Sequence, residues 1–331
     1  MLQVGCASVN LIPDFPVCLH GYASRNYRTE KVEEPVELGC LALRNDHKTV
    51  LIFTVDIIGI SYDTCELLYK DLEEAVGISY PDIYICGSHT HFAPSAEHIG
   101  VTFPGGEMPL GVYEPDQKFL SFLRKQFLAA AQTALAALTT VQVEYVDIPL
   151  PGIAFNRRTI KKSDYLVETN YLYPVESEKY DFDNWDDKFS VWRFINENGI
   201  VAILGRFSCH PVTGGSLGAE YMSGDYPYYF RKAVNELFSC PSFFMLGAAG
   251  DVVPMKRQGS SREDLGEILA RSIRMNERRF KLVNGFSLKT AKLAIPVTMK
   301  HLLDRKKFAL EYEEVRKKAK TEAVQSDEFY A

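Results

Sequence analysis

The chain has no apolar run approaching the roughly 20 residues needed to cross a bilayer, and its start, Met1-Leu2-Gln3-Val4, lacks the basic and hydrophobic regions of a secretory leader. A cytoplasmic protein without a transmembrane segment is the expectation. It also lacks any basic run that would track a phosphate backbone. Lys and Arg number 37 against 43 Asp and Glu, a formal charge of −6, which argues against nucleic acid as a partner. No C-x-x-C pair occurs among the seven cysteines, Cys6, Cys18, Cys40, Cys65, Cys86, Cys209 and Cys240. Neither a disulfide framework nor a structural zinc knuckle is therefore expected; reduced, buried thiols are.

What the chain has is a series of short apolar runs that break into polar loops. Residues 83–94 read Ile-Tyr-Ile-Cys-Gly-Ser-His-Thr-His-Phe-Ala-Pro, a strand pattern bounded by Gly and followed by a His-x-His pair. Extended backbone turns residues two apart to one side, so His89 and His91 can share a pocket. Two imidazoles on one face supply half of a tetrahedral site for zinc or a similar ion. The plainer reading is that they cap a loop through hydrogen bonds. Residues 201–207 form another apolar run, broken at Ser208-Cys209-His210-Pro211 because Pro cannot continue a central ladder. Runs at 50–55 and 242–246 lead into Asp56-Ile57-Ile58-Gly59 and Gly247-Ala248-Ala249-Gly250-Asp251. Four strand ends thus carry Asp56, His89 with His91, His210 and Asp251, all residue types that bind metals or move protons. A nucleophilic pair of Cys209 with His210 is disfavoured, because neighbours on extended backbone face opposite ways.

Laid side by side, these stretches suggest an internal duplication. Residues 41–56 and 191–210 each read as a hairpin ending in a polar loop. Each is followed by a helical pattern (62–76; 226–238), a strand with its loop (83–91; 242–251), a second helix (116–138; 262–275) and a last strand (141–150; 286–297). Phe119, Phe122, Leu123, Phe127, Ala130 and Leu135 fall on one stripe, the pattern of a helix covering a sheet. The expected fold is α/β, a mixed α+β arrangement of internally duplicated mixed sheets flanked by helices, with a metal site at the loops following the strands. One domain spans 1–331, with pseudo-repeats of about 36–150 and 188–297 and a charged helix from about 304 to 323. True repeats would lay Asp56 over His210 and His89 over Asp251.

Residues 160–187, between the two units, are dense in Tyr, Asp and Glu, with Tyr171, Tyr173, Tyr180 and Trp185 among them. They read as a solvated linker or as an aromatic lid over the site. Gly214-Gly215 and Gly105-Gly106 read as loop glycines or as places where backbone approaches a ligand.

Taken together, the strings His20-Gly21-Tyr22-Ala23, Val55-Asp56-Ile57-Ile58-Gly59, Ser88-His89-Thr90-His91-Phe92-Ala93-Pro94, Asn156-Arg157-Arg158, Cys209-His210-Pro211, Ser223-Gly224-Asp225-Tyr226-Pro227 and Ala249-Gly250-Asp251-Val252-Val253-Pro254 resemble the amino-terminal catalytic domain of the neutral/alkaline non-lysosomal ceramidase family. They occur in the family's order, over roughly residues 4–300. The resemblance implies that His89 and His210 bind a catalytic zinc, Zn2+, that His91 faces the substrate or the metal's water, and that Arg157 lies beside the reacting centre. Two departures stand against it. Val253 occupies the position of the family's serine, so a serine mechanism is closed. No counterpart of the family's later glutamate and tyrosine ligands is found, leaving Asp56, Asp225, Asp251, water or a segment outside this sequence to complete the shell.

What survives is a zinc-dependent hydrolase resembling neutral ceramidase, an amidase that cleaves an amide or ester bond of a small-molecule or lipid-like substrate by metal-activated water. Arg157 or His91 would stabilise the oxyanion, while Asp56 or Asp251 would accept the proton or orient a ligand histidine. The alternative is a catalytically inactive ceramidase-like protein that binds a ligand or partner through the same pocket.

Overall fold

The computed structural model describes residues 1–331 except 23, 24, 26, 98–115, 215–219, 285–287, 294, 297–309, 311, 312 and 314–331. Its first half runs β1 (Gln3–Asn10), a ribbon of β2 (Val17–Cys18) and β3 (Arg28–Thr29), then β4 (Glu37–Arg44), β5 (Thr49–Val55), α1 (Tyr62–Val76), β6 (Ile83–Gly87), α2 (Gln117–Ala136) and β7 (Thr139–Thr140). The second half runs β8 (Gln142–Pro149), β9 (Ala154–Asn156), β10 (Arg158–Lys161), β11 (Val167–Thr169), β12 (Tyr180–Phe182), β13 (Lys188–Asn196) and β14 (Gly199–Phe207). It continues with α3 (Asp225–Phe238), β15 (Ser242–Leu246), β16 (Val252–Pro254), α4 (Ser261–Met275) and β17 (Lys281–Leu282).

Two five-stranded sheets result, ordered β6-β5-β4-β1-β7 and β15-β14-β13-β8-β17. The two orders match position by position, and so do the pairings. β5 with β6 and β14 with β15 are parallel, joined across α1 and α3, while the remaining pairs are antiparallel. Alternation along the strands explains the layering. On β4, Leu38, Cys40 and Ala42 pack under α2 through Phe119, Leu123, Phe127 and Ala134. Leu41 and Leu43 point the other way, against Phe194, Leu204 and Phe243 of the second sheet. Both faces of β4 are therefore apolar, as a central strand between a helix layer and another sheet requires. The outer face of the second sheet is covered by Tyr226, Phe230 and Val234 of α3 and Leu265, Leu269 and Ile273 of α4. The helices end as their sequences direct: Asp116 caps α2 by accepting from Lys118 N–H at 2.8 Å, and Gly77 closes α1 with φ 71°.

Two strand expectations are corrected. Residues 141–150 do not close the first sheet; β8 pairs along its length with β13, and only the two residues of β7 complete the first sheet against β1. Alternation marks a strand without naming its neighbour, and the chain crosses between sheets at Val141. The last strand expected at 286–297 is also absent from its described part. Those residues carry no strand, Leu293 and Ile295 are exposed, and β17 takes the edge instead. Strand β1, outside the expected repeats, pairs along all eight residues with β4. The matching elements are therefore 3–140 and 142–282, bounds shifted from 36–150 and 188–297. The charged helix of 304–323 lies outside the described residues apart from Leu310 and Glu313, which are helical. Among the described residues no helix is long and apolar enough to cross a membrane.

Candidate metal centre

The carboxyl ends of β5, β6, β14 and β15 open onto one region, because the parallel pair of each sheet directs both of its strands there. His89 follows β6 and His210 follows β14. Their ligand nitrogens and those of His91 all lie within 4.8 Å of one another. Ring centroids are 4.7 Å apart for His89 and His210, 5.2 Å for His89 and His91, and 5.4 Å for His91 and His210.

Backbone carbonyls fix which nitrogen is available. His89 Nδ1 sits 2.8 Å from Ile58 O, and His210 Nδ1 sits 2.6 Å from Ala249 O. A carbonyl only accepts, so each Nδ1 carries the hydrogen and each Nε2 presents a bare lone pair. That is the arrangement in which a histidine's outer nitrogen is anchored and its other nitrogen is free to ligate. His91 differs: both of its ring nitrogens are buried and neither has a hydrogen-bond partner among the described residues. A buried orphan nitrogen costs free energy, and an ion bound between the three rings would satisfy it. The donor set therefore fits zinc. His89 also holds φ 66°, a conformation that costs a non-glycine residue on the order of 1 kcal/mol and is kept by its N–H donating to Ile57 O at 2.9 Å.

All three rings are held neutral. Burial, then the field of His89, pushes His210 down to about 4. Burial, then His210 and His89, holds His91 well below the usual histidine range, and burial lowers His89. His20, beside them, is pushed down to about 4 by burial and then by His89 and Arg25. These shifts have a sign for stability. Between the unfolded value near 6.5 and about 4 the unfolded chain binds protons that the folded chain refuses, so stability rises with pH there. Metal-free protein should therefore lose thermal stability steadily as pH falls from 6.5 toward 4, and His91→Gln should make the fall shallower. Melting curves in chelator across that window check it; a flat profile contradicts it.

The loop before β3 backs this centre. Gly21, at φ 116°, lies so close that a Cβ there would stand 2.6 Å from His91 Cβ, which leaves only glycine room. Arg25, 1% exposed, donates to His20 O at 2.8 Å and His91 O at 2.5 Å, and its guanidinium lies 4.7 Å from the centre of the Tyr22 ring. Tyr22 in turn meets His91 edge-on at 5.2 Å. These supports were quoted in the sequence only as a His-Gly-Tyr-Ala string. The signal that could have found them is the glycine beside a histidine in a loop.

A cleft of about 250 Å³ opens over the histidines, lined by Tyr22, Ile58, His89, His91, Arg157, Tyr171, His210, Val212, Val253 and Arg257. Arg157 is here: its Nη2 donates to Gly250 O at 2.7 Å, and its guanidinium lies 5.2 Å from the Tyr171 ring centre. Val253 also faces the cleft, 1% exposed and packed with Phe155 and Val212. Tyr171 and Arg257 were not singled out for the site. Tyr171 belongs to the tyrosine-rich stretch, which is neither a plain linker nor a single lid. It builds a small sheet, β11-β10-β12, that brings Tyr171 to the cleft and stacks Tyr173 on Phe182.

The carboxylates are engaged elsewhere. Asp56, expected to take a proton, orient a histidine or complete the shell, is instead salt-bridged to Arg231 of α3 at 2.5 Å and accepts from Glu37 N–H at 3.0 Å. Asp225 is fully buried and accepts from Thr213 N–H at 2.8 Å, Tyr226 N–H at 2.6 Å and the Thr213 hydroxyl; burial pushes it up to about 6. Asp251 accepts from Asn156 Nδ2 at 3.0 Å, and its backbone carbonyl holds Arg157 N–H at 2.7 Å. No carboxylate joins the histidine cluster among the described residues. Gly214 packs tightly on the Phe92 ring, while Gly105, Gly106 and Gly215 lie outside the described residues. All seven cysteines are free, and the Cys209 thiol is buried and pushed well up by that burial, unsuited to attack.

Set against solved structures, the chain superposes on neutral ceramidase from Pseudomonas aeruginosa with TM-score 0.68 over 86% of this chain and 46% of that one, at 15% identity. The fold is ceramidase-like. A ceramidase complexed with C2 superposes with TM-score 0.67 over 83% of this chain and 43% of that one, at 14% identity. This chain thus spans less than half the length of the ceramidases it matches. No family model matches the sequence, and no curated protein matches it either. The ceramidase-like frame is shared at the level of backbone.

Proposed function

We propose that this chain is a zinc-dependent hydrolase of an amide or ester bond, with His89, His91 and His210 holding the ion. The observation that carries the reading is the pair of anchored Nδ1 atoms facing a third histidine whose own nitrogens have no partner. Bound there, zinc would supply Lewis-acid polarisation of a carbonyl and acidification of a water molecule. His91, which the resemblance implies faces the substrate or the metal's water, is proposed here as a third ligand.

The chain's own residues then do the rest. Arg157, fixed by Gly250 O, presents its remaining N–H groups to the cleft, where developing negative charge on a carbonyl oxygen would be stabilised. Ile58, Val212 and Val253 form an apolar wall that excludes water beside the reacting carbonyl. Asp251 keeps Arg157 in register through the backbone and acts as a positioning residue. The ceramidase-like fold agrees with this reading, and the substrate proposed from it is a lipid-like amide. A second reading, a catalytically silent binding protein, is favoured by Val253 alone, since valine can neither attack nor donate.

The two separate on one experiment. Chromogenic esters and amides are offered to protein stripped with chelator, to the same protein resupplied with zinc, and to Val253→Ser, with metal content measured in parallel. The hydrolase reading expects about one zinc per chain, turnover only with metal, and less than about a threefold change in Val253→Ser. Activity that appears only once serine is introduced, or protein that takes up no zinc, favours the silent reading.

A further inference from the structure

Several arginines that support the fold are paired with acids. Arg231 pairs with Asp56 and Glu37, Arg262 with Glu33 and Glu34, Arg124 with Asp71 and Arg193 with Glu144. Arg157 and Arg257 differ from these. Both line the cleft over the histidines, no Asp or Glu is among the residues lining it, and neither guanidinium forms a salt bridge among the described residues.

Their partners orient them without neutralising them. Arg257 donates from Nε to Val212 O at 3.1 Å and from Nη1 to Tyr171 O at 3.0 Å, and Arg157 donates from Nη2 to Gly250 O. Each fork is thus held by backbone carbonyls with N–H groups to spare. Burial lowers Arg157 most, Tyr171 acts against it, and the field of Arg257 comes next, ahead of that of Asp251. Two like charges in one cleft repel each other, an energy that a bound anion would relieve. Guanidinium forks match a carboxylate or phosphate two bonds at a time. The cleft's volume, about 250 Å³, equals about eight waters at ~30 Å³ each, enough for a small charged head group.

We propose that the substrate carries an anionic group, a carboxylate or a phosphate, close to its scissile bond, and that Arg257, with Arg157, binds it. This deepens the hydrolase reading and rests on it for the word substrate. The recognition itself is a binding property and is tested as one.

The test uses zinc-loaded protein and ligand pairs matched except for the anionic group. N-acetylglycine is compared with N-acetylglycinamide for the carboxylate source, and an N-acylphosphoethanolamine with the corresponding N-acylethanolamine for the phosphate source. Calorimetric affinities are taken on wild type, Arg257→Gln and Arg257→Lys, with zinc content confirmed in each, and hydrolysis is followed separately. At least one anionic ligand should bind about tenfold or more tightly than its neutral counterpart, and the pair with the larger ratio identifies the source. The ratio should fall toward one in Arg257→Gln and be partly kept in Arg257→Lys. Because anions also bind zinc, a ratio that survives in zinc-loaded Arg257→Gln would assign the preference to the metal and overturn the inference. Equal wild-type affinities for both members of both pairs would overturn it too. A preference with no turnover of any ligand would uphold the anion site while removing the hydrolase reading.

Discussion

His210→Ala should release zinc and abolish turnover while leaving the fold intact. Among the described residues three ligating side chains converge on the site, and no carboxylate stands in reserve to replace a lost imidazole. Loss of a partner that merely orients a ligand costs roughly 10–100-fold in metal affinity, so loss of a ligand should cost at least about a hundredfold. The fold should persist because alanine keeps both backbone bonds of this position, to Val252 O and from Val212 N–H, and loses only the side-chain bond to Ala249 O, and the residue is not part of either sheet core. Zinc competition against a chromophoric chelator measures the first effect and circular dichroism the second. Retained zinc and retained activity in this variant would contradict the three-histidine site.

The largest effect on stability should come from Asp56→Ala. Asp56 and Arg231 are 2% and 13% exposed at their side chains, so the substitution strands a guanidinium between α3 and the first sheet with Glu37 as its remaining partner. Breaking a buried pair by removing one member costs about 3–5 kcal/mol, which lowers the melting temperature on the order of 10 °C in a chain of this size. Zinc content should not change, since Asp56 is committed to Arg231. Thermal denaturation and metal analysis on the same sample check both halves. Loss of zinc without loss of stability would return Asp56 to the metal site.

These two residues show what could be read from the sequence and what could not. Both sit at a strand end, and local pattern located them: an apolar run stopped by Pro or Gly marks where a loop begins, whichever sheet it belongs to. The pairing of two such loops from distant parts of the chain followed from the repeated order of elements, and the matching strand orders agree with it. Where a carboxylate points is a tertiary matter. Arg231 on a helix reads as an ordinary surface charge, and only the packing of α3 under the β4 and β5 ends turns it to Asp56. The same limit applies to His91. Its ring is placed by Gly21 and Arg25, far away in sequence, and a two-residue spacing carries no trace of that support. β8 was legible as a strand but not as a member of the second sheet, because alternation describes a face and not a partner.

The central claim is that three histidines form one zinc site, and anomalous diffraction at the zinc edge from zinc-loaded crystals tests it most directly. One peak is expected about 2.0–2.1 Å from the Nε2 atoms of His89 and His210 and equally close to one ring nitrogen of His91. A map with no peak there, or one in which the ion sits at Asp56 or Asp225 while the histidines keep their present separation, would contradict it.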